Sequence, residues 1–243
     1  MIFFKKTSSD PLTRTDFHSH LIPGIDDGAK DMPHALKLIK ELSNIGYKKL
    51  ITTPHIKSGQ YDNTARLITD GLSMLRDELA VNDMDIQIDA SAEYYYDETF
   101  LQAIKTDDLL HIGRFVLFEF SYVVPPINIE EVVYELKTKD YIPVLAHPER
   151  YLYYHAKPER YEYLKNLGIH FQVNLNSLVG YYSKPVEHVA KYLSQKGFVD
   201  FIGSDTHHFK HTEALKKVFK SSVYKTLFEN NKILNDMLVS DVL

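Results

Sequence analysis

Cysteine is absent from all 243 residues, and its absence removes several kinds of site. No disulfide can form, no thiolate can bind a metal, and no cysteine nucleophile can act in catalysis. The chain also lacks any run of the ~18 to 20 apolar residues that a membrane helix needs. It has no excess of positive charge, since the net charge is -5 and the isoelectric point about 6.2. We therefore expect no nucleic-acid partner and no membrane span.

The first residues lack the features of an export signal. Three apolar residues precede Lys5 and Lys6, and neither a long apolar region nor a cleavage site follows them. We therefore expect a flexible N-terminal arm over residues 1–14 and a cytoplasmic location. No linker, low-complexity tract or repeat divides the remainder, so residues 15–243 are expected to form a single domain.

Short β-rich runs alternate with amphipathic helical runs along almost the whole chain, which is typical of an α/β fold. The predicted strands are Thr15 to Leu21, Lys49 to His55, Asp85 to Tyr94, Phe115 to Phe120, Tyr141 to His147, His170 to Leu175 and Phe198 to Ser204. The predicted helices are Met32 to Ile45, Ala65 to Val81, Ile129 to Lys139, Pro158 to Leu167, Pro185 to Lys196, Glu213 to Phe219 and Ser222 to Met237. The turn after the first strand reads HSHLIPGIDDG, not a glycine-rich phosphate loop, which favours a (β/α) barrel over a doubly wound sheet.

Histidines and acids collect at the ends of the predicted strands. His18 and His20 are two residues apart, a spacing that points both imidazoles to one side of a strand. Counting from the N-terminus, the candidate metal ligands are His18, His20, Asp27, His55, Glu93, Glu119, His147, Asp205 and His207. In parallel α/β folds the carboxyl ends of the strands form one common rim, which houses the active site. Nine nitrogen and oxygen ligands on one rim can hold more than one metal ion.

The types of candidate ligand restrict which metals could bind and which reactions the site could catalyse. Imidazoles and carboxylates without thiolates suit Mn, Fe or Zn, and they do not choose among these. Three divalent ions would exceed the charge of the four candidate carboxylates and would attract a phosphate dianion. Clustered metals also lower the pKa of bridging water and can clamp both oxygens of an in-line displacement. Phosphoester hydrolysis follows, although deacetylation or amide hydrolysis would use the same groups.

Seven motifs in order, DFHSH, IDDG, TTPH, AEYYY, FEFS, AHPER and GSDTHH, make the chain similar to a known superfamily. From Asp16 to His208 it resembles the PHP (polymerase and histidinol phosphatase) superfamily, above all its bacterial capsule-associated tyrosine phosphatases. The resemblance implies a distorted (β/α)7 TIM-like barrel with three metal ions, commonly manganese. It implies that the first ion is bound by His18, His20, Glu93 and Asp205, the second by Glu93, Glu119 and His147, and the third by Asp27, His55 and His207.

The same resemblance assigns roles in catalysis. Arg150 matches an arginine that binds the substrate phosphate, and a guanidinium fork suits phosphate oxygens. Glu93 and Asp205 would act as ligands of the reacting centre, and His208 could assist the leaving group. Members of this group usually carry a second arginine after the SDxH motif. This chain has Lys210 and His211 there, so either one could replace it.

The resulting hypothesis is a metal-dependent protein-tyrosine phosphatase that uses metal-activated hydroxide, because no cysteine is present. Four tyrosines beside the rim could wall a pocket for an aryl ring, namely Tyr94, Tyr95, Tyr96 and Tyr122. By resemblance, the substrate would be the tail of an autophosphorylating bacterial tyrosine kinase of capsule or exopolysaccharide synthesis. Two alternatives remain open: a small-molecule phosphatase of the histidinol-phosphate type, and a metal-binding regulatory module without turnover.

Overall fold

The computed structural model describes residues 11–238, which form parallel strands surrounded by helices. The strands are β1 Thr15–Asp16, β2 Lys49–Thr52, β3 His55–Ile56, β4 Gln87–Ala90, β5 Glu93–Tyr95, β6 Phe115–Glu119, β7 Ile142–Ala146, β8 His170–Asn174 and β9 Phe201–Gly203. The helices are α1 Met32–Ile45, α2 Ala65–Val81, α3 Glu98–Thr106, α4 Ile129–Thr138, α5 Glu159–Asn166, α6 Lys184–Gln195, α7 Phe209–Lys220 and α8 Ser222–Asn230. The predicted α/β class is confirmed.

The strands form a distorted ring of two parallel sheets. One sheet has the order β1-β2-β4, and the other has the order β3-β5-β6-β7-β8-β9. The chain passes directly from β2 to β3 and from β4 to β5, which joins the sheets covalently. A parallel bridge between Ser19 and Thr206 then links the segment after β1 to the segment after β9. The ring therefore returns to its first strand, as in the expected distorted barrel.

Two predicted strands are each divided in two by the structure. The run Lys49 to His55 breaks around Pro54, which has no N–H to donate to a ladder. Its carbonyl still accepts a hydrogen bond from the Glu93 N–H at 3.0 Å, so the ring stays joined through the break. The run Asp85 to Tyr94 divides between β4 and β5, directly opposite the break between β2 and β3.

The core has an inner and an outer part. Inside the ring, Phe17, Leu117, Val144 and Phe201 are buried against one another. Outside it, each helix buries one apolar face against the strands, as α1 does with Leu38 and its neighbours three or four residues away. The strands are consequently covered on both faces, as parallel strands require, and only their ends meet solvent.

Some helix boundaries differ from the predicted ones. Helix α3 was not predicted, and α7 begins four residues earlier than expected, at Phe209. Helix α8 ends at Asn230 because the Asn231 side chain donates to the carbonyls of Leu227 and Ser194, at 2.8 and 2.9 Å. A short 3₁₀ turn at Asn235–Met237 follows in place of the predicted last turns.

Residues 11–14 of the expected N-terminal arm lie against the C-terminal part of the domain. The Leu12 N–H donates to the Tyr224 hydroxyl at 2.9 Å, and the Thr13 hydroxyl donates to Asp236 Oδ1 at 2.6 Å. The rest of the arm, residues 1–10, lies outside the described residues. Within residues 11–238 no helix combines the length and the apolar character needed to cross a membrane.

Candidate metal centre and active site

The candidate ligands lie at the carboxyl-terminal rim of the ring, on segments from six parts of the barrel. His18 and His20 follow β1, His55 begins β3, Glu93 begins β5, Glu119 ends β6, His147 follows β7, and Asp205 and His207 follow β9. Parallel register explains part of the convergence, because His55 is paired with Glu93 and Tyr95 with Glu119. Asp27 reaches the same place from the loop before α1, 3.5 Å from His55 Nε2 and 3.4 Å from His207 Nε2.

Eight of the nine candidate ligands fall into three overlapping groups, in each of which the ligand atoms lie within 4.8 Å of one another. The groups are His20, Asp27, His55 and His207; His18, His20 and Asp205; and His55, Glu93 and Glu119. His20 and His55 each belong to two groups, so the three potential ion sites are contiguous. Groups of imidazole and carboxylate that share members in this way fit divalent metal ions.

His147, the ninth candidate, approaches the cluster through Glu93. Its Nε2 lies 2.9 Å from Glu93 Oε1 and 3.8 Å from Glu119 Oε2. The other oxygen of Glu93 lies 3.3 Å from His18 Nε2 and 3.1 Å from His55 Nδ1. Glu93 is therefore at the centre of the arrangement, where one carboxylate can contact two ions.

Unpartnered buried atoms indicate that the protein leaves room for cations here. Glu93 Oε2 and His55 Nδ1 are both buried and lie 3.1 Å apart, but neither makes a hydrogen bond of acceptable geometry among the described residues. Burial and the negative charge of Glu93 raise the pKa of Glu119 well above its ordinary value. Burial lowers the pKa of His55 to about 4, which keeps its imidazole neutral, as a metal ligand must be. Divalent ions would bind these orphaned atoms and offset the repulsion between the carboxylates.

Three side chains that were not predicted as site residues orient candidate ligands from the side away from the cluster. Gln172 Oε1 lies 2.7 Å from His18 Nδ1, and Asp26 Oδ2 lies 2.8 Å from His20 Nδ1. Asn174 donates to Asp205 Oδ2 at 2.6 Å and accepts from Gln172 at 2.9 Å. Each of these contacts leaves the ligand's other atom free to face the cluster, which is the usual role of outer hydrogen-bond partners at metal sites.

The IDDG motif brings its loop against the ligands through a close backbone approach. A Cβ added at Gly28 would lie 2.2 Å from the His20 carbonyl oxygen and 2.4 Å from the His20 Cβ. The Gly28 N–H donates to Asp26 Oδ1 at 2.9 Å, which holds the carboxylate that orients His20. Only glycine permits this approach.

Arg150 extends into the cluster from the turn that follows β7. His147 has left-handed backbone angles (φ 35°, ψ 55°), and a 3₁₀ turn over Pro148–Arg150 begins there. The guanidinium donates to Asp205 Oδ2 at 3.1 Å. It also lies over two aromatic rings, 4.8 Å from the centre of Tyr122 and 4.5 Å from that of Tyr182. Arg150 is thus a fixed cation beside the candidate ligands.

These groups line one cleft of about 340 Å³ at the rim. Its walls carry seven of the nine candidate ligands together with Arg150, Tyr122, Tyr182 and Lys57, whereas His18 and His20 lie beneath them. Acid, imidazole, guanidinium and aromatic groups therefore face a common space large enough for a phosphate and an aryl ring.

Comparison with known proteins decides the family. Residues 14–234 match the family model for capsular polysaccharide synthesis proteins, CpsB/CapC. The chain belongs to the CpsB/CapC family. The resemblance carried by the seven sequence motifs is confirmed, and the family match covers every candidate site residue.

Named tyrosine phosphatases resemble this chain over most of its length. Tyrosine-protein phosphatase YwqE of Bacillus subtilis is 28% identical over 229 residues, which are 90% of this chain and 90% of YwqE. Tyrosine-protein phosphatase CpsB of Streptococcus pneumoniae is 24% identical over 241 residues, 92% of this chain and 99% of CpsB.

Solved structures give the same neighbours. One match comes from the crystal structures of YwqE from B. subtilis and CpsB from S. pneumoniae, which are described as unique metal-dependent tyrosine phosphatases. The matching chain has a TM-score of 0.79 and is 28% identical to this one. That match covers 92% of this chain and 94% of the other. Histidinol phosphate phosphatase of Lactococcus lactis has TM-score 0.56 at 13% identity, with 85% and 92% of the two chains covered. This second likeness supports the distorted-barrel fold alone.

Within this CpsB/CapC chain, the two proposed replacements for a second arginine lie in different places. His211 is buried, lines the cleft, and accepts a hydrogen bond from the His207 N–H through Nδ1 at 3.1 Å. Lys210 is exposed and does not line the cleft. His208 does line it, with its ring stacked 4.1 Å from that of His211. The lysine in the cleft wall is Lys57, which sequence reasoning did not single out.

Proposed function

We propose that this protein is a metal-dependent protein-tyrosine phosphatase, a phosphoric monoester hydrolase that needs no cysteine. The observation that carries the proposal is the placement of Arg150, held between Tyr122 and Tyr182, in the same cleft as the overlapping ligand groups. An arginine fork binds phosphate oxygens, and the neighbouring aromatic rings suit an aryl group. The activities named for the CpsB/CapC relatives support the same class of substrate.

We assign the nine ligands to three divalent ions, manganese by resemblance, with Fe or Zn as the other candidates. His18, His20, Glu93 and Asp205 would hold the first, Glu93, Glu119 and His147 the second, and Asp27, His55 and His207 the third. The distances of His147 to Glu93 and of Asp27 to His55 and His207 support this division. His20 is near both the first and the third groups, and we keep it with the first because its Nε2 lies 3.5 Å from Asp205 Oδ1.

The bound ions would supply a water of lowered pKa and positive charge for the phosphate oxygens. The protein's own residues position the substrate. Arg150 Nη1 is engaged by Asp205, so Nη2 and Nε are the donors that can bind nonbridging phosphate oxygens. The rings of Tyr122 and Tyr182 hold the guanidinium in place.

The leaving group needs little help from the protein. Tyrosine phenolate has a pKa of ~10, which makes it a better leaving group than an alkoxide. His208 lies at the cleft edge, where it can exchange a proton with the departing oxygen. Burial and the charge of His207 lower the pKa of His208, which disfavours the protonated ring that could donate a proton to the departing oxygen. We therefore expect its removal to have a smaller effect than the removal of Arg150.

The physiological substrate that we propose is the phosphorylated tail of a bacterial tyrosine kinase of capsule or exopolysaccharide synthesis. The family description places CpsB/CapC proteins in capsular polysaccharide synthesis, which supports that setting.

Hydrolysis assays test the activity. The purified protein should hydrolyse phosphotyrosine peptides and aryl phosphates, lose this activity after stripping with a chelator, and regain it when a single divalent metal is added. Metal analysis on the same samples identifies the ion. Phosphatase activity that survives complete removal of metal would contradict the proposal.

A direct comparison of substrates separates tyrosine phosphatase from small-molecule phosphatase. At equal enzyme concentration, kcat/KM should be larger for phosphotyrosine peptide than for histidinol phosphate. The opposite ranking would assign the site to the second class, and metal retention without any phosphoester hydrolysis would indicate a binding module.

A further inference from the structure

We propose that Lys57 forms a second anion-binding subsite in the cleft, which binds a negatively charged group next to the phosphotyrosine in the substrate. The inference rests on the proposed function and specifies the kind of peptide that the site prefers. Its ligand is a carboxylate or a second phosphate on a residue flanking the phosphotyrosine.

The position of Lys57 places its charge outside the ligand cluster but inside the cleft. Strand β3 pairs with β5, with His55 opposite Glu93 and Ile56 opposite Tyr94. Lys57 and Tyr95 follow as the next residues on these segments, two positions beyond a ligand each. In an extended chain this puts them on the same side as the ligands and about 7 Å further toward solvent. Lys57 consequently lies where a substrate continues beyond its phosphate.

The backbone at Lys57 is fixed by its neighbours. The Lys57 N–H donates to the Tyr61 carbonyl at 2.9 Å, and the Tyr61 N–H donates back to Lys57 at 2.8 Å. The next residue, Ser58, donates its N–H to Asp97 Oδ2 at 3.1 Å. The side chain is also held, since Nζ lies 4.1 Å from the centre of the Tyr95 ring. An ordered lysine loses less conformational entropy on binding a ligand than a free surface lysine does.

The charge of Lys57 has no acidic partner in the part of the chain that the structure describes. Among residues 11–238, no carboxylate oxygen lies within 4.0 Å of its Nζ, whereas the other cation of the cleft, Arg150, contacts Asp205 at 3.1 Å. The Tyr95 ring accepts the ammonium through its face and leaves other N–H donors directed away from the ring. An anion from the substrate can therefore bind Lys57 without displacing an internal ion pair.

The scissile phosphate itself is the less suitable ligand. Arg150 contacts Asp205, which belongs to the cluster of candidate ligands. Arg150 is therefore placed to bind a phosphate that lies against that cluster. Lys57 is two residues further out along its segment, level with Tyr95.

The test uses the metal-loaded enzyme and four substrates. Three phosphotyrosine peptides share one sequence and differ at the residues beside the phosphotyrosine, which are glutamine, glutamate or phosphoserine. The fourth substrate is para-nitrophenyl phosphate, which has no flanking group. The variants are Lys57→Met, which keeps the stem over Tyr95, Lys57→Arg, which keeps the charge, and Lys40→Met as a control at an exposed position on α1.

We expect the wild-type protein to prefer the glutamate or the phosphoserine peptide over the glutamine peptide, and Lys57→Met to lower kcat/KM for the preferred peptide about 3- to 10-fold. The glutamine peptide and para-nitrophenyl phosphate should be unaffected, Lys57→Arg should retain the preference, and Lys40→Met should match the wild type. Comparing the glutamate and phosphoserine peptides identifies which anion is bound. The preference should also shrink as ionic strength rises.

Two results would overturn the subsite. Equal loss on all four substrates would mean that Lys57 binds the scissile phosphate, and no loss on any of them would mean that it only packs on Tyr95. In both cases the wild-type protein still hydrolyses the phosphotyrosine peptides. Failure of the proposed function is different, because the wild-type protein would then hydrolyse none of them.

Discussion

Replacement of Arg150 by alanine should separate substrate binding from metal binding. The guanidinium donates to Asp205 Oδ2 at 3.1 Å, but Asp205 does not depend on it, since Asn174 donates to the same oxygen at 2.6 Å. The Tyr182 hydroxyl approaches that oxygen as well, at 3.3 Å. Loss of Arg150 therefore leaves the candidate ligand Asp205 in place, and we expect the metal content to remain normal.

The magnitude follows from the donors that disappear. Nη2 and Nε of Arg150 are free to bind the phosphate, and a hydrogen bond to a charged group contributes about 1.5–3 kcal/mol. The metal ions carry part of the same negative charge, so the two contributions do not add fully. We expect Arg150→Ala to cost about 2–4 kcal/mol of transition-state stabilisation, which is a roughly 30- to 1,000-fold fall in kcat/KM.

The assay measures kcat/KM on a phosphotyrosine peptide together with the metal content of the same preparation. Arg150→Lys is the matched variant, because it keeps the charge and loses the planar fork, and it should recover only part of the activity. Circular dichroism checks that both variants fold. Full activity in Arg150→Ala, or loss of its metals, would refute the role assigned to this residue.

Three further changes test the site and the barrel. Glu93→Gln removes the central carboxylate, so metal analysis should show lost ions and turnover should fall by several orders of magnitude; normal metal content would contradict its bridging role. Gly28→Ala puts a Cβ 2.2 Å from the His20 carbonyl, so metal affinity measured by titration should fall, and an unchanged affinity would show that the loop moves aside at little cost. Asn235→Ala removes three hydrogen bonds that tie the last 3₁₀ turn to β1 and β9. It should lower the free energy of unfolding by about 2–4 kcal/mol in urea titrations without changing kcat, whereas an unchanged unfolding curve would show that these bonds add no stability.

The architecture could be predicted because the signals for it are local. Alternation of β-rich and amphipathic runs gives the βα units, and short connections between them favour neighbouring parallel strands. Helix α3 escaped this reasoning because it has nine residues and buries only Phe100 and Ile104, one pair at helical spacing. The break at Pro54 could not be predicted either, because it depends on the ring as a whole. A proline alone does not determine whether a strand ends or only bends at that position.

The convergence of the candidate ligands could be predicted because it follows from one geometrical rule. Parallel strands end at a common rim, so polar residues at several strand ends must lie near one another. The rule does not say how far each side chain lies from the ligand cluster toward solvent. Lys57 is two residues beyond His55 in the same motif, and its closeness to Tyr95 depends on the pairing of β3 with β5.

The orienting residues Gln172 and Asn174 show why the outer part of such a site cannot be predicted from spacing. Both alternate along β8 toward the inside of the ring, a pattern that the sequence does contain. Their partners, however, are His18 and Asp205, which are 154 and 31 residues away. The contacts exist because the segment after β1 is hydrogen-bonded to the segment after β9, which in turn lies next to β8. An amide at an inward position of a strand becomes a partner of a candidate ligand only through that closure. For this reason the clustering of the candidate ligands could be predicted, while the residues that orient them could not.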